Sequence, residues 1–61
     1  MQENVRYLTV QDIADQLQVT EETVRRWIDS GQLKAIKLSG HRYRIHPKDF
    51  QDFIDRQQRQ P

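Results

Sequence analysis

The sequence predicts a small α+β domain, mainly helical, in the order α-α-β-β-α. Three observations predict it: two helical apolar stripes, each behind its own capping threonine, a switch to period-two alternation between Leu33 and Ile45, and a return to helical spacing after Pro47. A chain of 61 residues fills one core and no more, so a single domain over 1–61 is expected. Its working part is about 5–56, and 57–61, at the end of the run Arg56 to Pro61 reading RQQRQP, form a flexible tail.

Thr9 followed three residues later by Asp12 forms a capping-box-like start, with Leu8 before it as a staple toward Ile13, so the first helix begins near Val10. Val10, Ile13, Ala14 and Leu17 make its apolar stripe, while Gln11, Asp12, Asp15 and Gln16 face water. Thr20 caps the second helix, about 21–30, with Glu21 and Glu22 in the first turn where the helix dipole favours negative charge. Val24, Trp27 and Ile28 form its apolar face, and Gly31 supplies the left-handed residue that closes it. Only Gln18 and Val19 separate the first helix from the cap of the second, so the two meet at a sharp angle as a helix-turn-helix.

Ile36 and Leu38 alternate with Lys37, and Tyr43 and Ile45 with Arg42 and Arg44, which predicts a hairpin. With Ser39 and Gly40 as the loop, Leu38 faces His41, Lys37 faces Arg42, Ile36 faces Tyr43 and Ala35 faces Arg44. Pro47 then suits a first helical position, His46 the cap before it, and Phe50, Phe53 and Ile54 the stripe of a third helix ending near Arg56.

Composition excludes several function classes. Without cysteine there is no disulfide scaffold and no thiolate metal site, and His41 and His46 alone are too few for a metal centre, so no metal or other cofactor is expected. No apolar run approaches the ~18 residues of a membrane span and no signal peptide opens the chain, so a cytoplasmic protein without membrane contact is expected. There is no glycine-rich phosphate loop, and Ser30 and Ser39 lack His and Asp partners at a supporting spacing, so no enzyme is expected.

The net charge of +1 conceals a segregation: −4 over residues 1–24, +6 over 25–48 and −1 over 49–61. Phosphate is the commonest partner of such a local positive field, and a solvated basic face is the alternative. On the second helix the side opposite Val24, Trp27 and Ile28 carries Glu22, Arg26 and Asp29, flanked by Thr23 and Arg25. Arginine can bond guanine in a bidentate way, and threonine can touch a thymine methyl or a phosphate, so this face has the chemistry to read a major groove. In the hairpin, Lys37 opposite Arg42 with Arg44 alongside sets like charges together at a cost of ~0.2–1 kcal/mol per direct pair, which stability does not explain. A wing with that outer face and a Gly-His-Arg tip suits a phosphate backbone or a minor groove, with His41 donating at the tip. The aromatics Trp27, Tyr43, Phe50 and Phe53 fall on core stripes rather than on a base-stacking surface, which speaks against single-strand or RNA binding.

The residues that carry these features, Tyr7-Leu8-Thr9-Val10, Ile13-Ala14, Leu17, Val19-Thr20, Thr23-Val24-Arg25-Arg26-Trp27-Ile28, Gly31-Gln32-Leu33, Ile36, Gly40-His41-Arg42-Tyr43-Arg44-Ile45, Asp49-Phe50 and Phe53, resemble the excisionase-family helix-turn-helix domain. This is the short winged branch related to MerR-type DNA-binding domains, and the likeness covers about residues 7–55. It implies a winged helix-turn-helix fold, with Thr20, Glu22, Thr23, Arg25 and Arg26 on the recognition helix and Lys37, His41, Arg42 and Arg44 on the wing. It also implies a bacterial, nucleoid-associated protein that binds double-stranded DNA as an architectural factor in excision or as a transcription regulator. The partners it implies are further copies of the chain, side by side or paired on DNA, and a recombinase or RNA polymerase. A protein-interaction module docking an acidic partner is the competing reading. One departure from the family pattern is Gln18 where glycine is common: either a left-handed glutamine is tolerated at ~1–2 kcal/mol or the turn differs.

Overall fold

Gln18 adopts the left-handed conformation, φ 58° and ψ 48°, so the turn keeps the geometry that glycine would have eased. The computed structural model describes residues 5–40 and 42–59. Helix α1 spans Val10–Leu17, α2 Glu21–Asp29 and α3 Pro47–Gln58, and the strands are β1, Ile36–Ser39, and β2, Arg42–Arg44. The order is α-α-β-β-α, mainly helical, with one antiparallel hairpin, as in a winged helix-turn-helix.

Each helix end is satisfied by groups that can be named. At the start of α1 the Asp12 N–H donates to Thr9 Oγ1 at 3.0 Å and the Thr9 N–H to Asp12 Oδ2 at 3.0 Å, a reciprocal box closed by the shorter acid. The Val19 N–H donates back to the Ala14 carbonyl at 2.9 Å across left-handed Gln18. At the start of α2 the Thr23 N–H donates to Thr20 Oγ1 at 3.2 Å. Its other end is a Schellman closure: with Gly31 at φ +85°, the Gly31 N–H donates to Ile28 O at 3.1 Å and the Gln32 N–H to Trp27 O at 2.9 Å. Helix α3 begins at the His46 cap, where the Lys48 N–H donates to Nδ1 at 3.0 Å and Pro47 follows in the first turn.

The core draws on all these segments. Ile13 of α1, Val24 of α2, Leu33 of the connection and Ile45 after β2 are fully buried, and Val10, Ala14, Tyr43, Phe50 and Phe53 surround them. Trp27 is half-buried against this cluster, its ring centroid 5.0 Å from that of Phe53. Leu8 and Ile45 exchange both backbone hydrogen bonds, each at 2.8 Å, so the segment before α1 pairs with the residue that follows β2.

Two expectations are corrected. Helix α3 runs through Gln58 rather than ending near Arg56: Gln57 and Gln58 are good helix formers, and the Arg59 N–H closes the last turn on Asp55 O at 3.1 Å. Of the expected flexible tail, 57–61, Gln57 and Gln58 belong to this helix, and residues 60 and 61 lie outside the described residues.

The hairpin register also differs. Ile36 pairs with Arg44, Lys37 with Tyr43 and Ser39 with Arg42, and the shift between Lys37 and Ser39 leaves Leu38 as an extra residue on β1. This bulge keeps Ser39 in β1, paired with Arg42, and moves the turn beyond it, where Gly40 adopts φ +54°. The like-charge pair Lys37 and Arg42 is therefore not formed, because Lys37 stands opposite the buried Tyr43. Cross-strand partners share a face, so Ile36 lies on the outward face with Arg44. Ile36 and Leu38 are 49% and 50% exposed rather than buried beside Tyr43. A one-residue slip reverses which apolar residues face inward, and Tyr43 and Ile45 took the inner face.

Candidate nucleic-acid interface

Helix α1 packs against both α2 and β2, which carries the wing to the side of α2. The contact leaves a depression of about 200 Å³ whose walls are the start of α1 (Thr9, Val10, Gln11), Glu21 and Arg25 of α2, and Arg42, Tyr43 and Arg44 of β2. Three of the expected arginines, Arg25, Arg42 and Arg44, thus meet at one place, against a single carboxylate.

Their states differ. Arg25 is held by Glu21 one helical turn before it, Nη2 to Oε1 at 3.2 Å, and its Nε is buried with no partner. The half-buried Arg44 donates from Nη1 to the Tyr43 carbonyl at 2.9 Å, while Arg42 is exposed. Beneath them the Tyr43 ring fills the core and its hydroxyl donates to Asp29 Oδ1 at 3.4 Å, joining the wing to the last turn of α2.

The remaining expected site residues sit apart from this cluster. Arg26 projects into solvent, its side chain 73% exposed, and meets Glu22 only at 3.8 Å, a surface pair worth ~0–1 kcal/mol. Thr20 and Thr23 are linked hydroxyl to hydroxyl at 2.9 Å, and the Thr20 oxygen also caps α2, so both are committed to holding the start of the helix. Lys37 is exposed at a register position shared with Tyr43 rather than with Arg42. His41 lies outside the described residues.

Sequence reasoning missed the walls supplied by Thr9 to Gln11. The capping box located the start of α1, but only the pairing of Leu8 with Ile45 brings that start to the root of the wing, and this pairing leaves no local signature. A larger hollow of about 450 Å³ lies elsewhere, between α3 and the connection after α2. Its Asp49, Asp52 and Asp55 are balanced by Lys34, Arg56 and Arg59, so it offers no net field to a polyanion. Among the described residues no group of His, Asp and Glu is arranged to hold a metal ion, and no helix is long and apolar enough to cross a membrane.

A family model described as a helix-turn-helix domain matches residues 7–58. No curated protein and no solved structure matches the chain.

Proposed function

The chain belongs to the helix-turn-helix domain family, excisionase-like in kind, and on that premise we propose that it binds double-stranded DNA with a sequence preference, α2 lying in the major groove and the β1–β2 wing on the backbone or adjacent minor groove. The observation that carries this reading is the meeting of Arg25 from α2 with Arg42 and Arg44 from the wing around one depression, which joins a groove-reading element to a backbone-following one. Arg42 and Arg44 neutralise phosphates. Arg26, free of the cluster and exposed, reads bases, with Glu22, Thr20 and Thr23 beside it at the start of the helix. Lys37 and His41 add to the wing's contact with the backbone.

One copy neutralises about four to six phosphates, which makes binding weak at physiological salt and strongly salt-dependent. Useful occupancy then comes from copies side by side or paired on repeated half-sites, or from a recombinase or RNA polymerase bound alongside, in DNA excision or transcription control. Titrating the chain with duplex DNA at rising salt tests the reading. Affinity that falls steeply with salt supports it, and absence of affinity for any duplex overturns it in favour of an acidic protein partner. Selection from random duplexes then reports the target and the spacing of its repeats.

A further inference from the structure

The wing carries an apolar strip that the fold leaves in water. Ile36 and Leu38, two residues apart on β1, stand half exposed in a chain of which only 34% is hydrophobic. A regular two-residue loop would set Ile36 opposite the buried Tyr43, and the bulge at Leu38 prevents it. Bulges recur where a strand re-aims a side chain beside a functional surface. The surroundings say what covers the strip. From Ser30 to Lys48 the sequence has no carboxylate, whereas Lys34, Lys37, Arg42, Arg44 and Lys48 are cationic. Side chains alternate along β2, so Arg42 and Arg44 stand on the face opposite Tyr43, and Ile36, paired with Arg44, shares that face. The same two arginines meet Arg25 of α2, which brings this face to the side of the recognition helix. A second copy docked here would set the cations of two wings against each other, a costly juxtaposition. An apolar strip on a hairpin whose only charges are positive fits the minor groove, with phosphates along its rims and base steps that aliphatic side chains can enter.

We propose that Ile36 and Leu38 are the wing's apolar contact with the minor groove, Leu38 wedged at a base step and Ile36 against the sugars beside it. The inference rests on the reading of the chain as a DNA-binding domain and adds to it a source of specificity that uses no hydrogen bond. Pyrimidine–purine steps unstack most readily, so the wedge selects such a step and kinks the duplex there, by ~20–90° for wedges of this kind. Arg42 and Arg44 hold the strands on either side while the aliphatic residues open the step.

The probe is a duplex recovered by selection from random sequence and labelled at its two ends with donor and acceptor dyes. Energy transfer reads the bend, and 2-aminopurine placed beside the step reads its unstacking. The wild type is expected to shorten the end-to-end distance, to brighten 2-aminopurine, and to lose affinity several-fold when a stiff AA step replaces the pyrimidine–purine step. Leu38→Ser is expected to lose both signals and the step preference, and Leu38→Met to keep them. The salt slope should match the wild type in both variants, because the arginines stay in place. A slope that falls together with the bend makes Leu38 a support of the wing and overturns the wedge. Bending and step preference unchanged in Leu38→Ser overturn it too, and leave the DNA reading standing. Self-association of the free protein in sedimentation, abolished by Leu38→Ser, gives the strip to a second copy and overturns the wedge. A wild type that binds no duplex overturns the DNA reading itself.

Discussion

Tyr43 on β2 donates its hydroxyl to Asp29 Oδ1 in the last turn of α2 at 3.4 Å, while the residue as a whole is only 9% exposed and belongs to the core. The length marks a weak hydrogen bond, so the ring and the hydroxyl contribute very differently. Tyr43→Phe keeps the packing and is expected to cost under about 1 kcal/mol. Tyr43→Ala empties the root of the wing and is expected to cost about 3–5 kcal/mol, by analogy with other buried aromatics. Chemical denaturation of the two variants measures the difference, and equal losses would contradict this division.

Gln18 carries a left-handed backbone without being glycine. Gln18→Gly is therefore expected to stabilise the fold by about 1 kcal/mol, raising Tm by roughly 4–8 °C in a domain of this size. A thermal melt reads it directly. A fall in Tm would mean that the entropy lost by glycine outweighs the strain relieved.

Leu33 is 1% exposed and sits just after the Schellman closure of α2. Leu33→Ala is expected to cost about 2–5 kcal/mol, a large share of the roughly 3–9 kcal/mol that 61 residues sustain. Urea titration should move the midpoint sharply downward.

Ile36 and Leu38 stand half in water on the bulged strand. Replacing either with serine is expected to change stability by less than about 1 kcal/mol, in contrast to Leu33, although all three are large aliphatic residues in one stretch of chain. The same denaturation series ranks them, and a large loss at Ile36 would restore the regular register in which it packs beside Tyr43.

Arg26 and the wing arginines should separate by the kind of loss they produce. Arg42→Ala or Arg44→Ala is expected to weaken binding on every duplex and to reduce the salt slope by about one unit, whereas Arg26→Ala should change which sequences are preferred, by roughly 1–3 kcal/mol at the base it reads. Fluorescence titrations against two or more duplexes at several salt concentrations distinguish these outcomes. Uniform loss from Arg26→Ala would remove it from base reading.

The helices were legible in the sequence because their signals are local. Thr9 with Asp12, Thr20 before two glutamates, Gly31 after Ile28, and His46 before Pro47 each act within one turn of chain, and each cap forms in the structure. The wing was less legible because period-two alternation gives two faces without saying which is inward. Two aliphatic residues on β1 compete with Tyr43 and Ile45 for the core, and the bulge at Leu38 decides between them. Among the candidate site residues, the sequence showed where positive charge concentrates, but it did not foretell that Thr20 and Thr23 bind each other or that Arg25 joins the wing arginines while Arg26 stays apart. The threonine pair is local to the start of α2, but the meeting of Arg25 with the wing arginines depends on α1 lying against β2, a contact between segments some thirty residues apart in the chain.

The paired hydrogen bonds between Leu8 and Ile45 make the short stretch ahead of the first helix a dovetail for the base of the ribbon. Trimming the protein to begin at Thr9 would spare every helix yet loosen the ribbon's footing, so a shortened version that still melts cooperatively could nonetheless swing its two strand arginines out of alignment.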